Sequence, residues 1–325
     1  MVLRMVTTID LDINIRINHS MKILITGGAG FIGSHLVEYF QGKADIVVLD
    51  NLRSGYRRNL EGLDHTLIEG SILERSVVEE AVKGVEIVFH LAAMISVPES
   101  MDAPRECAEM NVLGLLHVLE AASAAGARKL VLASSAAVYG DNPVIPKIET
   151  MLPEPKSPYA ITKLDGEYYL EMFCREGRIE TASLRFFNVF GPRQDPASAY
   201  AAAVPIFMRR AISGQDISIF GDGEQTRDFI HVKDIVAALH HVAIQKNLNG
   251  VFNVGYGESM TVKNLASQII ELTASSSRIH HLPERLGDVK HSEASIEKII
   301  KTGFKHISSL ERGLKETIQW MMKNN

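Results

Sequence analysis

Tyr159 and Lys163 have the spacing of an acid–base pair. Residues i and i+4 share one face of a helix. An ammonium beside a phenol favours the phenolate and lowers its pKa from about 10. Such a tyrosine takes a proton near neutral pH. The spacing alone decides little, because Tyr39 and Lys43 satisfy it too, at the far end of another predicted helix. Tyr159 is set apart by its place in the chain. Its helical stretch, Pro158 to about Glu176, follows a predicted strand, Lys129–Ser135, that ends in Ser134 and Ser135. In an open α/β sheet ligands bind at the carboxyl ends of the strands. A serine hydroxyl there can hold a substrate oxygen while Tyr159 moves the proton.

The elements that position this group begin with Lys22-Ile23-Leu24-Ile25-Thr26, an aliphatic run that reads as a buried strand. Gly27, Gly30 and Gly33 follow at a three-residue period, and then an apolar stripe at helical spacing (Phe31, Ile32, Leu36, Val37, Phe40). Strand, glycine turn and helix in this order are the signature of a dinucleotide site. The first glycine allows the turn, the second the approach of a pyrophosphate, the third close helix–sheet packing. The helix start offers N–H groups and a positive dipole end to the phosphates. Asp50 closes the next strand, Asp45–Asp50, where an acid can bind the adenosine ribose hydroxyls and repel a 2′-phosphate. NAD is therefore favoured over NADP, although Arg53 close by works against that preference.

Further strands are predicted at Thr66–Glu69, Glu86–Ala93 and Thr181–Phe187, with helices at Arg75–Lys83 and Pro104–Gly126. Asn111 lies among apolar neighbours in the second of these helices and needs a hydrogen-bond partner. The alternation predicts an α/β fold: a Rossmann-like, doubly wound parallel sheet with helices on both faces. After Gly191-Pro192-Arg193-Gln194-Asp195-Pro196 the pattern changes. A helix at Ala202–Ser213, strands at Ile217–Phe220, Asp228–Val232 and Gly250–Gly255, and helices at Asp234–Gln245, Thr261–Ala274, Ser292–Thr302 and Ser309–Lys323 follow. They suggest a smaller mixed α/β substrate lobe. The expected division is an extension at 1–20, a dinucleotide domain from 21–188 and 231–256, and the lobe from 189–230 and 257–325.

The chain has 325 residues, 46% hydrophobic and 22% charged, an ordinary globular composition with ample core material. A net charge of −5 gives no electrostatic case for nucleic acid or an anionic membrane. Cys107 and Cys174 are the only cysteines, both in helical patterns, so neither a disulfide framework nor a cysteine metal site is expected. The histidines show no metal-ligand spacing, and no metal is expected. Two cysteines with no disulfide framework make the chain read as cytoplasmic, and residues 1–20 hold no continuous apolar run fit for a signal peptide or membrane span.

Six stretches together resemble the extended short-chain dehydrogenase/reductase superfamily, and within it the UDP-glucose 4-epimerase family. They are Thr26-Gly27-Gly28-Ala29-Gly30-Phe31-Ile32-Gly33, Asp50-Asn51-Leu52, His90-Leu91-Ala92-Ala93, Ser134-Ser135-Ala136-Ala137-Val138-Tyr139-Gly140, Pro158-Tyr159-Ala160-Ile161-Thr162-Lys163 and Arg185-Phe186-Phe187-Asn188-Val189-Phe190-Gly191-Pro192-Arg193-Gln194. The likeness runs from Met21 to about Lys323. It implies that Ser135, Tyr159 and Lys163 are catalytic. It implies an NAD site lined by Gly27, Gly30, Phe31, Ile32, Asp50, Asn51, Ser71, Ile72, Leu91, Ala92, Ala93, Asn111, Ser134, Tyr159 and Lys163. Where family members often carry an Asp that binds the adenine amino group, this chain has Ser71, whose hydroxyl can accept the same bond. A UDP-sugar would be held by Ser96, Ser135, Tyr159, Asn188, Arg227, Arg285, Asp288 and Ser292. Of these, Arg227 and Arg285 would take the diphosphate, as a guanidinium fork suits it.

Related dehydratases place Asp-Glu directly after the catalytic hydroxyl residue, and related decarboxylases a Glu two positions after it. Here Ala136 and Ala137 stand there. Loss of water needs an acid to protonate the leaving hydroxyl, so epimerisation at C4 fits better. Ser292 is small where related epimerases gate the pocket beside the sugar's C2 substituent, which leaves room for an N-acetyl group. UDP-glucose/UDP-galactose is the expected substrate pair, with UDP-GlcNAc/UDP-GalNAc beside it. The rivals are a UDP-glucuronate 4-epimerase, an NADPH-dependent reductase and a non-catalytic NAD-sensing module. Relatives commonly form homodimers through the Tyr159 helix and the one before it, for which Leu115, Leu116, Leu119, Tyr168, Met172 and Phe173 are candidates.

Overall fold

The computed structural model describes residues 21–196, 202–284 and 290–324. The expected extension at 1–20, and Arg285 and Asp288, lie outside them. Six strands open the chain: β1 (Lys22–Thr26), β2 (Asp45–Asp50), β3 (Thr66–Glu69), β4 (Ile87–His90), β5 (Lys129–Ser135) and β6 (Glu180–Phe186). Six helices lie among them: α1 (Phe31–Tyr39), α2 (Arg75–Ala81), α3 (Val97–Asp102), α4 (Pro104–Ala108), α5 (Gly114–Ala124) and α6 (Pro158–Arg175). Then come β7 (Asn188–Phe190), α7 (Ala203–Ile212), β8 (Ile217–Phe220), β9 (Thr226–Arg227), β10 (Phe229–His231), α8 (Val232–Ile244), β11 (Gly250–Val254), β12 (Met260–Thr261), α9 (Val262–Leu272), β13 (Ile279–Leu282), α10 (Glu297–Ile300) and α11 (Leu310–Asn324).

Among the described residues the central sheet has seven strands in the order β11-β6-β5-β4-β1-β2-β3, every pairing parallel. The strand order reverses between β1 and β4. That is the switch point where a doubly wound sheet opens its ligand crevice. Side-chain alternation feeds two layers. Ile23, Ile25, Val48 and Phe89 join Leu36 and Phe40 of α1 and Leu239 of α8 on one face. Leu24, Val47, Leu49 and Val88 join Val118 and Leu119 of α5 and Phe173 of α6 on the other. Because both faces are covered, the strands are almost continuously apolar.

The lobe has its own core, in which Phe207, Met208, Ile217, Leu265, Ile269, Leu314 and Ile318 pack together. It is built on α7, α9 and α11 around short strand pairs: β8 with β13, β9 with β12, β7 with β10.

Several boundaries differ from the sequence expectations. β4 ends at His90, since the Leu91 and Ala92 N–H groups turn to the Thr26 hydroxyl, each at 3.2 Å. α3 was not expected; Ser96 starts it by accepting the Glu99 N–H at 3.1 Å, with a proline in its first turn. The long helix expected at Pro104–Gly126 is α4 and α5 joined by one π turn, Glu109–Leu113. The helix expected at Ser292–Thr302 shrinks to α10. Its first residues run extended instead, because Ser292 N–H donates to Thr226 O at 3.1 Å and Ala294 N–H to the buried Asp228 carboxylate at 3.1 Å. Leu115, Leu119 and Phe173, expected at a dimer face, are core residues beneath the sheet, whereas Tyr168 is 55% exposed.

Candidate active site

The glycine turn is as tight as its residue types require. Gly27 has φ +73°, and a Cβ there would lie 2.8 Å from Ala92 N. At Gly33 a Cβ would come within 2.2 Å of Gly27 O. At Gly30, by contrast, a Cβ would meet only Gly27 O, at 3.2 Å, and its other sides are open. Gly30 caps α1 with no side-chain hydrogen bond. The first N–H groups of a helix have no carbonyl one turn back, so the backbone at Phe31 and Ile32 presents donors to a space that a side chain at Gly30 would have filled, while the Gly30 N–H is held by Gly27 O at 3.1 Å. This is a cradle for a phosphate group, and the residues fit a dinucleotide.

Asp50 stands beside it, buried, with both carboxylate oxygens holding backbone. Oδ2 accepts the Ala29 N–H at 2.9 Å and Oδ1 the Leu52 N–H at 2.8 Å. Asp50 therefore shapes the glycine turn as well as facing the crevice, a role that spacing alone did not reveal. Asn51 is exposed and accepts the Arg53 N–H at 3.1 Å. The Arg53 guanidinium is engaged by Glu99 and Glu106. Ser71 closes its own turn, its Oγ accepting Leu73 N–H at 3.2 Å and its N–H donating to Glu74 at 2.9 Å. The Ile72 side chain is buried in the core against α5. Leu91, Ala92 and Ala93 are half-buried along the loop after β4.

Ser135, Tyr159 and Lys163 come together at the end of β5. Ser135 Oγ accepts the Ala137 N–H at 3.1 Å, starting a short 3-10 turn, and stands near enough to the Tyr159 hydroxyl to favour its ionised form. Lys163 Nζ donates to Ala133 O at 2.8 Å and lies 5.7 Å from the Tyr159 ring centre. The expectation that the lysine lowers the tyrosine pKa needs correction in this arrangement. Burial holds Tyr159 above its ordinary value, and the nearby Ser135 hydroxyl is what pulls the other way. Lys163 itself is pushed down to about 8 by burial. Burial, reinforced by the Lys163 charge, lowers His90 to about 3, so its ring is neutral; its Nδ1 lies 3.0 Å from the Thr26 hydroxyl. The other Tyr-x-x-x-Lys pair is unrelated: Lys43 stacks on the Tyr39 ring, whose hydroxyl meets His240.

Several residues that brace this centre were missed in the sequence. Tyr159 N–H donates to the fully buried Ser100 hydroxyl at 3.2 Å, and Tyr159 O accepts from Thr162 Oγ1 at 2.9 Å. Asn111 finds the partners it needed: it spans Met94 N and O, at 2.8 and 3.0 Å, and donates to Thr162 at 3.0 Å. The π turn in which it lies points its amide at both segments; such turns often mark functional sites. Ser134, expected at the cofactor, gives its hydroxyl to Glu167 at 2.5 Å. Glu167 also accepts Arg185 Nε at 2.9 Å and Nη2 at 2.7 Å, a bidentate buried pair. Arg185 lies over the Tyr139 ring, and Tyr139 donates to Asn253 at 2.7 Å. One signal was available: Glu167 continues the i+4 series Tyr159, Lys163 on the same helix face.

On the lobe side, Asn188 pairs in register with Phe229, two residues past Arg227. Ser292 N–H bonds Thr226 O next to Arg227, whose Nη1 donates to Thr226 O at 2.8 Å. These three positions therefore gather at one edge. Ser96 caps α3 in the stretch that follows β4. Asp228, also missed, accepts N–H groups from Tyr256 at 2.6 Å, Gly257 at 3.0 Å and Ala294 at 3.1 Å, and so ties the lobe to the end of β11; burial raises it to about 6.

The doubly wound sheet and its glycine crevice define a dinucleotide-binding α/β protein. Residues 23–255 match the family described as the NAD dependent epimerase/dehydratase family. The chain belongs to that family and is an NAD-dependent enzyme. The Thermotoga maritima UDP-glucose 4-epimerase solved with UDP-glucose is 40% identical, with 94% of this chain and 99% of that one covered and a TM-score of 0.89. The UDP-N-acetylglucosamine 4-epimerase of Methanobrevibacter ruminantium M1, solved with UDP-N-acetylmuramic acid, is 38% identical over 94% and 99% of the two chains, with a TM-score of 0.90. A Bacillus cytotoxicus UDP-N-acetyl-alpha-D-glucosaminuronate decarboxylase is 34% identical over 92% and 97%.

Proposed function

We propose that this enzyme epimerises UDP-sugars at C4, interconverting UDP-glucose with UDP-galactose and also UDP-GlcNAc with UDP-GalNAc. The observation that carries the reading is the placing of Ser135 at the end of β5 beside Tyr159 and Lys163, followed by Ala136 and Ala137 where an acid would stand. A proton can be exchanged there, and no group at those two positions can protonate a leaving hydroxyl or assist decarboxylation. Relatives named as epimerases of UDP-glucose and UDP-N-acetylglucosamine support the same reading.

Gly27, Gly30, Phe31, Ile32 and Asp50 would hold NAD. When bound, it supplies a hydride acceptor and donor and a positively charged ring. Tyr159, as phenolate, takes the proton of the sugar 4-hydroxyl and later returns it. Ser135 holds the sugar's 4-oxygen and stabilises the phenolate by hydrogen bonding. Lys163 keeps its ammonium buried beside the pair, held by Ala133 O, and would line the NAD site. Asn188, Arg227, Arg285 and Asp288 would grip the nucleotide diphosphate so that only the sugar turns over. Ser292 would leave space for the C2 substituent. Exposed apolar side chains at Leu113, Ile161 and Tyr168 support a homodimer through the face carrying α6, measurable as mass in solution by light scattering.

The test incubates purified protein with each of the four UDP-sugars, without added reductant, and identifies products by NMR. Equilibration of the C4 epimers is expected. Absence of any epimer from protein that holds NAD would refute the reading. Ser292→Tyr should lose the N-acetylated pair and keep the other; retention of both would refute the pocket assignment.

A further inference from the structure

The cofactor crevice has two banks. β2 ends at Asp50 and continues into Asn51, Leu52 and Arg53 on one bank. β4 ends at His90, and its chain climbs through α3 and α4 on the other. β1 and its glycine turn lie between them in the sheet. Strands β2 and β4 are thus two spacings apart, about 10 Å. An ion-pair group joins the banks. Arg53 Nη2 donates to Glu99 Oε1 at 2.8 Å, and Nη1 donates to Glu106 Oε1. Because the three strands are parallel, these groups all stand at the carboxyl edge, and the link crosses the end of β1, where the phosphate cradle opens.

The Arg53 turn is built for this reach. Leu52 adopts φ +57°, a backbone conformation that a branched side chain avoids unless its surroundings impose it. The imposition is visible: Asp50 Oδ1 accepts the Leu52 N–H and Asn51 Oδ1 the Arg53 N–H. Glu99 lies in the first turn of α3 and Glu106 in that of α4, so each short helix contributes one carboxylate.

We propose that Arg53, Glu99 and Glu106 form a strap over the mouth of the crevice that slows the departure of NAD. The strap is half-exposed, Arg53 at 46% and Glu106 at 48%. Pairs in that setting are weak and screened by salt, so the strap can open for loading and still delay loss. Slow loss suits a catalyst whose cofactor ends each cycle unchanged. The inference rests on the cofactor site and stands apart from which sugar is turned over.

The test is the release rate of NAD from the loaded enzyme, followed by exchange with excess isotopically labelled NAD at 50 mM and 500 mM NaCl. Arg53→Met, which keeps most of the apolar stem, should release NAD about three- to tenfold faster at low salt, the gain expected from two exposed pairs. Glu99→Gln with Glu106→Gln should do the same from the other bank. High salt should speed release from the wild type and leave Arg53→Met nearly unchanged. Lys83→Met removes a surface pair with Glu80 at the opposite edge of the sheet and should match the wild type. Wild-type release rates in both strap variants would overturn the proposal. So would equal acceleration in Lys83→Met, or the same salt response in Arg53→Met as in the wild type.

Discussion

Glu167→Gln tests the brace behind Ser134 and its neighbour Ser135. Glu167 and Arg185 are each 3% exposed, and the carboxylate receives three donors: Ser134 Oγ, Arg185 Nε and Arg185 Nη2. Burial alone would lower the Arg185 pKa, but the hydrogen bonds and charge of Glu167 outweigh it and hold it above its ordinary value. Glutamine keeps one acceptor oxygen for these donors and turns an NH2 toward another donor. It also leaves a buried guanidinium without a counter-charge. Breaking a buried pair from one side costs about 3–5 kcal/mol. At roughly 2 °C per kcal/mol for a chain this long, the melting temperature should fall by about 6–10 °C. Screening is weak at a buried site, so the loss should be the same at 0.1 and 1 M salt. Glu167→Leu with Arg185→Met should cost less than the sum of the single changes, because no lone charge remains. Because Ser134 adjoins Ser135, kcat should fall more than KM rises. A melting temperature within 1 °C of the wild type by calorimetry, roughly 0.5 kcal/mol, would refute the argument.

Tyr159→Phe should keep NAD bound, seen by absorbance of the released cofactor, and lose about 10²- to 10⁴-fold in turnover. Gly33→Ala forces a methyl to within 2.2 Å of Gly27 O; it should cost about 1–3 kcal/mol or more and abolish NAD retention. Lys163 provides a pH signature. Its folded pKa of about 8 lies below the ordinary lysine value of 10.5, so between those values the unfolded chain binds more protons and stability rises with pH. Lys163→Met should lack that rise, and the stability difference between it and the wild type should shift by about 3 kcal/mol from pH 7.5 to 10.5; parallel pH curves in urea denaturation would contradict this.

Local pattern determined much of this protein. A buried strand, three glycines and an apolar helix are set by backbone sterics over a dozen residues, and β1, the turn and α1 stand where the pattern placed them. Asp50, Ser135, Tyr159 and Lys163 were legible for the same reason: each sits at a fixed offset from the end of a strand or along one helix face. Failures began where partners lie far apart in the chain. The 292–302 stretch has helical periodicity, but Thr226 and Asp228 draw its first residues out as extended chain. Leu115, Leu119 and Phe173 are apolar whether they face the sheet or a partner, and only packing assigns them to the core.

The electrostatics belong to tertiary structure outright. Helical spacing places a lysine near a tyrosine, but how far each is desolvated, and whether the ammonium is spent on Ala133, depends on which layers close over them. Arg53 read as a cation beside the adenosine site; folding carries it across β1 to Glu99 and Glu106, 46 and 53 residues away. The chemistry available to this chain is written in residue type and spacing, because bonds and dihedrals act locally. Which groups lose water, and which charges meet, is decided when strands distant in sequence become neighbours in the sheet.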